Sequence, residues 1–138
     1  ASNTSSAITF LSIPSVYTHL QLRILARATS ENTLYVRFNN DSGSTSYDNH
    51  RMNGNGSTVG ADSRINYSAL WVCSRGYGVP STTGKSAAII MDIFDYTSTN
   101  KYKVTRTLSG QERNTSDGTS DIRKLEINNC YKQNRCKH

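Results

Sequence analysis

Hydrophobic and polar positions alternate along much of this chain, and where they do, the period is two. Leu20, Leu22, Ile24 and Ala26 interleave with His19, Gln21, Arg23, Leu25 and Arg27, the pattern of a half-buried strand across 15–28. A helix competes there, since Leu20 with Ile24 and Leu22 with Leu25 also satisfy helical spacings. Tyr17 and Thr18 before the stretch and the turn-like Thr29–Asn32 after it favour the strand. Thr33 to Asn39 follows with Leu34, Val36 and Phe38 on one face and Tyr35 and Arg37 on the other. The short turn predicts a hairpin of these two strands as the central pair of the sheet.

From Asn39 to Ser57 almost no aliphatic residue appears, and Asn, Asp, Gly and Ser dominate because they form local side-chain turns and tolerate positive φ. This predicts a long ordered loop ending in the Asn-Gly steps of Asn53–Ser57. Arg64 to Ser74 reads as a strand with Ile65, Tyr67, Ala69, Trp71 and Cys73 on one face. Lys85 to Tyr96 holds the most apolar run, AAIIMDIF, which fits a strand covered on both faces. Asp92 and Asp95 interrupt it, so Asp92 belongs either at a solvated face or against a charged partner. Lys101 to Leu108 carries Tyr102, Val104 and Leu108 on one face, and a polar loop over 109–119 leads to a weak strand at 121–127. Ile8–Ile13 is a short apolar run stopped by Pro14. Six or seven strands without a convincing long helix, and without an internal repeat, predict a single all-β domain over 1–138. The expected form is an antiparallel β-sandwich or jelly roll with long polar loops, a loose arm at 1–7 and a basic tail at 128–138.

Composition sharpens this in three ways. Low charge, 19%, with many Ser and Thr and eight Tyr, excludes a disordered chain and suits a β surface. A net charge of +6 raises nucleic acid as a partner, but the cations scatter until Arg123, Lys124, Lys132, Arg135 and Lys137, and no nucleic-acid motif accompanies them. No run reaches the length of a membrane-spanning helix, so neither nucleic acid nor membrane is expected as a partner. The three cysteines, Cys73, Cys130 and Cys136, are an odd number; Cys73, beside Leu70, Trp71 and Val72, reads as a small core residue.

Catalytic patterns are mostly missing. No Ser sits between glycines two positions away on each side, and GNGSTVG lacks the Lys-Ser/Thr of a phosphate loop. His19, His50 and His138 form no metal or base pair with one another, and Cys130, Cys136 and His138 fall outside common zinc spacings. Asp92 and Asp95, an odd number of residues apart, point to opposite faces of a strand, which disfavours them as a hydrolytic pair. Asp41 with Asp48 is the other possible carboxylate pair, or, with Ser44, a calcium cradle; turn-capping aspartates are the simpler reading. Asn-x-Ser/Thr sites at Asn3, Asn40, Asn55, Asn66 and Asn114 matter only on a eukaryotic secretory route. No metal or cofactor is expected.

Three ordered segments carry a resemblance. They are ITFLSIPSVYTHLQLRILARA at Ile8–Ala28, LYVRFNNDSGSTSYDNHRMNGNGS at Leu34–Ser57, and AAIIMDIFDYTSTNKYKVTRTLSG at Ala87–Gly110. With the stretches between them they span about three quarters of the chain, and in that order the chain resembles small virion structural proteins of tailed bacteriophages, many of them aquatic and cyanobacterial. The resemblance implies a non-enzymatic β-sandwich module on the head or tail surface of the particle, as part of a fibre or decoration. It implies a homo-oligomer, a trimer above all, in contact with other virion proteins, and no catalytic residues. After Gly110 the chain departs from the family, whose members close with an alternating strand and Leu-Tyr-Gly; here the end is IRKLEINNCYKQNRCKH. A lost closing strand would leave an edge for a neighbouring subunit to cover.

A carbohydrate-binding module for host adsorption is the alternative. Tyr35, Tyr47, Tyr67, Trp71 and Tyr77 would offer flat faces to sugar rings. The candidate ligand-binding set is Tyr35, Asp41, Ser44, Tyr47, Asp48, Asn53 and Asn55. Against it stands the tendency of strand aromatics to pack inward.

Overall fold

The structure, a computed structural model, describes residues 6–30, 32–54, 58–73, 79–81, 83–111 and, for the backbone, 122–126. The fold is all-β and every strand pairing is antiparallel. The strands are β1 (Leu20–Ala26), β2 (Leu34–Val36), β3 (Tyr47–Gly54), β4 (Val59–Tyr67), β5 (Leu70–Cys73), β6 (Ala87–Phe94), β7 (Val104–Gln111) and β8 (Ile122–Glu126). They form a four-stranded sheet in the order β1-β6-β7-β8 and two strand pairs, β2-β5 and β3-β4.

The core lies where the inner face of the larger sheet meets the paired strands. Ala87, Ile89, Met91 and Ile93 of β6 pack with Leu70, Val72 and Cys73 of β5 and Tyr47 of β3, and Leu20, Leu22, Ile24, Leu34 and Val36 close around them. The period-two pattern of β1 and β6 thus becomes one apolar surface, in register from Leu20 opposite Ile93 to Ala26 opposite Ala87.

That register corrects the expected β1–β2 hairpin. β1 pairs with β6 and β2 with β5, so the chain does not turn back on itself after Ala26. The linking backbone bonds another segment: Ala28 N–H donates to Pro80 O at 2.9 Å, and Asn32 and Val79 exchange hydrogen bonds. The segment at 39–57 is a second correction. Only 39–46 is loop. Residues 47–54 are β3, half of a hairpin with β4, and polar cross-strand pairs hold it: Arg51 bonds Asp62, and Asp48 Oδ1 accepts from Asn66 N–H at 2.9 Å. A strand stabilised this way has no hydrophobic alternation to betray it.

The expected strand at 64–74 is two strands. Asn66 has φ of 57°, the chain bends at 68–69, and the intended face is broken: Ile65 is exposed while Ala69 and Cys73 are buried. β6 is covered on one face only, with Ala88 and Ile90 exposed on the other. In β7 the residues Val104 and Leu108, with Tyr102 just before the strand, share a face as expected, but it is the outer one. Lys103, Thr105, Thr107, Ser109 and Gln111 point inward and are buried. The 15–28 segment is a strand and not a helix, and β8 falls within the expected 121–127. Residues 1–5 of the arm and the whole tail at 128–138 lie outside the described residues.

Tyr47 ties the loop to the core. Its ring is fully buried, and its hydroxyl donates to Asp41 O at 2.9 Å and accepts from Phe38 N–H at 3.0 Å. Tyr47→Phe keeps the ring and strands both backbone groups, so it should lower unfolding free energy by about 1–3 kcal/mol with an unchanged denaturant slope. Urea unfolding followed by far-ultraviolet circular dichroism measures this, and a loss below about 0.5 kcal/mol, the range of surface substitutions, would contradict it.

Candidate functional site

The loop after β2 is short and closed on itself. Asp41 Oδ1 accepts from Gly43 N–H at 2.8 Å and from Ser46 Oγ at 3.0 Å, an Asx turn of the kind Asp forms readily. Asp41 N–H donates to Phe38 O, and Ser46 N–H to Gly43 O. The carboxylate that would hold a sugar hydroxyl or a calcium ion is thus engaged in building the loop.

The expected ligand-binding residues do not converge. Ser44 is exposed at the loop tip. Tyr47 is a core residue, and Asp48, its neighbour, points to the other face of β3 and caps Asn66. Asn53 stands opposite Gly60 at the far end of β3, five residues beyond Asp48 and therefore about 17 Å away. Asn55 and Tyr77 lie outside the described residues. Tyr35 alone keeps an open ring, 44% exposed, on β2 opposite Trp71 of β5.

What the fold does bring together is a cationic and aromatic cluster on Trp71. The Arg51 and Arg64 guanidinium carbons stand 5.4 and 5.3 Å from the indole centroid, within cation–π range. Tyr67 meets the same ring edge-on at 5.4 Å. Arg51 also pairs with Asp62, which leaves Arg64 as the surplus charge. Buried Asn49 fastens the cluster: its amide donates to Ala69 O at 3.2 Å, and its carbonyl accepts Trp71 N–H at 2.7 Å. Sequence reasoning missed this group. The register of β3 with β4 sets Asn49 opposite Arg64 and Arg51 opposite Asp62, a pairing that no residue pattern announced. With its faces taken up by guanidinium groups, Trp71 is a seam between the β3–β4 hairpin and β5 more than a platform for sugar.

A second polar group lies on the outer face of the larger sheet. Asp92, half-buried, accepts from Gln21 Nε2 at 2.9 Å and from Arg106 Nη2 at 2.8 Å, and Arg106 stacks 5.9 Å over Phe94. The Gln21 amide first and then the Arg106 guanidinium hold the Asp92 carboxyl below its ordinary value of 3.8. Its partnered setting answers the question its sequence position raised.

The third group is the β6–β7 turn. Asp95 has φ of 47°; its carboxylate meets Lys101 Nζ at 2.5 Å, and that bond is the main cause of its lowered pKa. Its carbonyl accepts Lys103 Nζ at 3.0 Å, and the same ammonium reaches Ser98 O. Its N–H donates to His19 Nδ1 at 3.0 Å. The same ring nitrogen lies 4.0 Å from the Asp95 carboxylate.

None of these groups pairs a nucleophile with a base. Among the described residues no cluster of three His, Cys, Asp or Glu side chains is placed to hold a metal, and no helix is long and apolar enough to cross a membrane. No protein-family model, curated protein or solved structure matches the chain.

The carboxylates set an acid response. A folded pKa below the unfolded one stabilises the fold above the unfolded value, and that stability is lost as pH falls through the folded value. Arg106→Gln raises the Asp92 pKa toward 3.8. The loss of stability below about pH 4 should therefore be shallower in the variant than in the parent, as measured by urea midpoints from pH 6 to pH 2. Parallel slopes would contradict the assignment.

Proposed function

We propose that the chain is a non-enzymatic structural module of a tailed-bacteriophage particle. It is a β-sandwich that assembles with copies of itself, as a trimer, and with other virion proteins on the head or tail surface. The resemblance of its three ordered segments to phage virion proteins supports the phage setting. The observation that carries the assembly reading is the inversion of β7.

A strand at the surface of a lone domain gains by turning apolar residues inward. β7 does the reverse: Leu108 is 52% exposed while four polar side chains, Thr105, Thr107, Ser109 and Gln111, are buried, and among the described residues Ser109 Oγ and Gln111 Oε1 have no hydrogen-bond partner. Leaving a leucine exposed forgoes about 1.5–3 kcal/mol, and a one-residue slip would reverse every side chain. A face kept apolar at such a cost suits burial against another subunit. Ile90 and Leu25 extend the same outer surface.

Carbohydrate binding at the host surface is the second reading, and the open ring of Tyr35 beside the Arg64–Trp71 cluster is what favours it. The two are compatible, because a particle component both assembles and adsorbs.

Native mass by light scattering tests the leading reading. The expected result is a trimer or larger assembly that survives reductant, since among the described residues the outer face contributes no cysteine. A monomer at all concentrations up to the micromolar range would overturn it and move attention to Tyr35.

A further inference from the structure

The segment before β1 is built as a projecting arm. Its base is pinned to the β6–β7 turn: Tyr96 N–H donates to Thr18 O at 3.2 Å, and the Tyr96 hydroxyl donates to Pro14 O. Beyond Pro14 the backbone forms neither helix nor strand. Ile8, Phe10, Leu11, Ile13, Val16 and Tyr17 are each roughly half to four-fifths exposed, with Leu11 at 81%. No charged residue occurs from Ser6 to Thr18. A stable interface takes roughly 800 Å² from each partner; Ile8, Phe10, Leu11 and Ile13 supply part of it, and Val16 and Tyr17 beside them bring the exposed apolar area to that order.

The outer face of the larger sheet has a matching shape. Leu25, Ala88 and Gly110 align across β1, β6 and β7, with Arg123 of β8 next in register, and the next row inward on the same face holds Ile90 and Leu108 between Arg23 of β1 and Leu125 of β8. Ala88 and Gly110 leave a low floor bordered by Leu25 on one side and by Ile90 and Leu108 on the other. Within one chain the arm leaves this floor uncovered, since both surfaces stay exposed.

Resting on the assembly reading above, we propose that the arm at 8–13 of one copy docks in the Ala88–Gly110 trough of a second copy. An uncharged apolar segment meets the apolar residues of this surface, while Arg23, whose Nε donates to Gln21 Oε1 at 2.7 Å, stays at the polar rim. The Gln21–Asp92–Arg106 group lies on the next row and forms a polar rim. Arm and trough are different surfaces, so the contact is heterologous and closes only as a ring. A cyclic trimer is the smallest such ring beyond a pair.

The test uses the full chain. A benzophenone amino acid replaces Leu11, and isotopically heavy and light copies are mixed before irradiation. The expected product is a heavy–light cross-link from the arm to peptides containing 88–92 or 104–111. Cross-links confined to one chain, or to other surfaces of the partner, overturn the proposal. In parallel, Leu11→Asp and Leu108→Arg are each weighed by light scattering. Both positions are exposed, so thermal midpoints should stay near the parent's, and each variant should fall to monomer mass. If Leu108→Arg dissociates the assembly and Leu11→Asp leaves it intact, arm docking fails while the assembly reading stands. A monomeric parent protein removes both.

Discussion

One residue in a left-handed conformation, Asp95, sets the geometry of half the molecule. Its N–H goes to His19 at the entrance of β1, its carbonyl to Lys103 at the start of β7, and its carboxylate to Lys101. Ser98 N–H closes the turn on the same carbonyl. Through these bonds the turn fixes where β7 begins, and hence which of its side chains face inward. The polar inner row and apolar outer row of β7 follow from this turn and not from the hydrophobic preference of the strand. A buried Lys103, satisfied by two carbonyls, is the visible cost of holding that register.

The same reasoning explains what the amino-acid pattern discloses. β1 and β6 are legible because their apolar residues line one buried surface, and alternation is a direct imprint of that burial. Their partnership is not legible. Pairing joins strands far apart in sequence, and the short 29–32 link looks identical whether the chain turns back on itself or leads into a different strand pair. β3 hides for the opposite reason, since Arg51 and Asp48 are strand residues whose partners are polar. The face of β7 is readable as a face, but its direction is decided before the strand begins, in the turn at Asp95.

The candidate site divides in the same manner. Asp41 and Tyr47 stand out in the sequence, and both are structural: one folds the 39–46 loop and the other anchors it. Trp71 becomes informative only once the hairpin brings Arg51 and Arg64 across it. Asn49 has no sequence signature at all, yet it is the buried amide that joins β3 to the turn before β5. Chemistry that depends on pairing across strands is visible only after the strands are paired.

The pinning of the arm also has a mechanical side. Tyr96 holds the segment through two bonds, at Pro14 and Thr18, before the chain enters β1. Tension on the arm therefore reaches the β6–β7 turn first, and only then the seven-residue ladder between β1 and β6. The turn acts as a strain relief: the edge strand is shielded from being peeled away one hydrogen bond at a time, and a pull from a neighbour is delivered to the middle of the sheet.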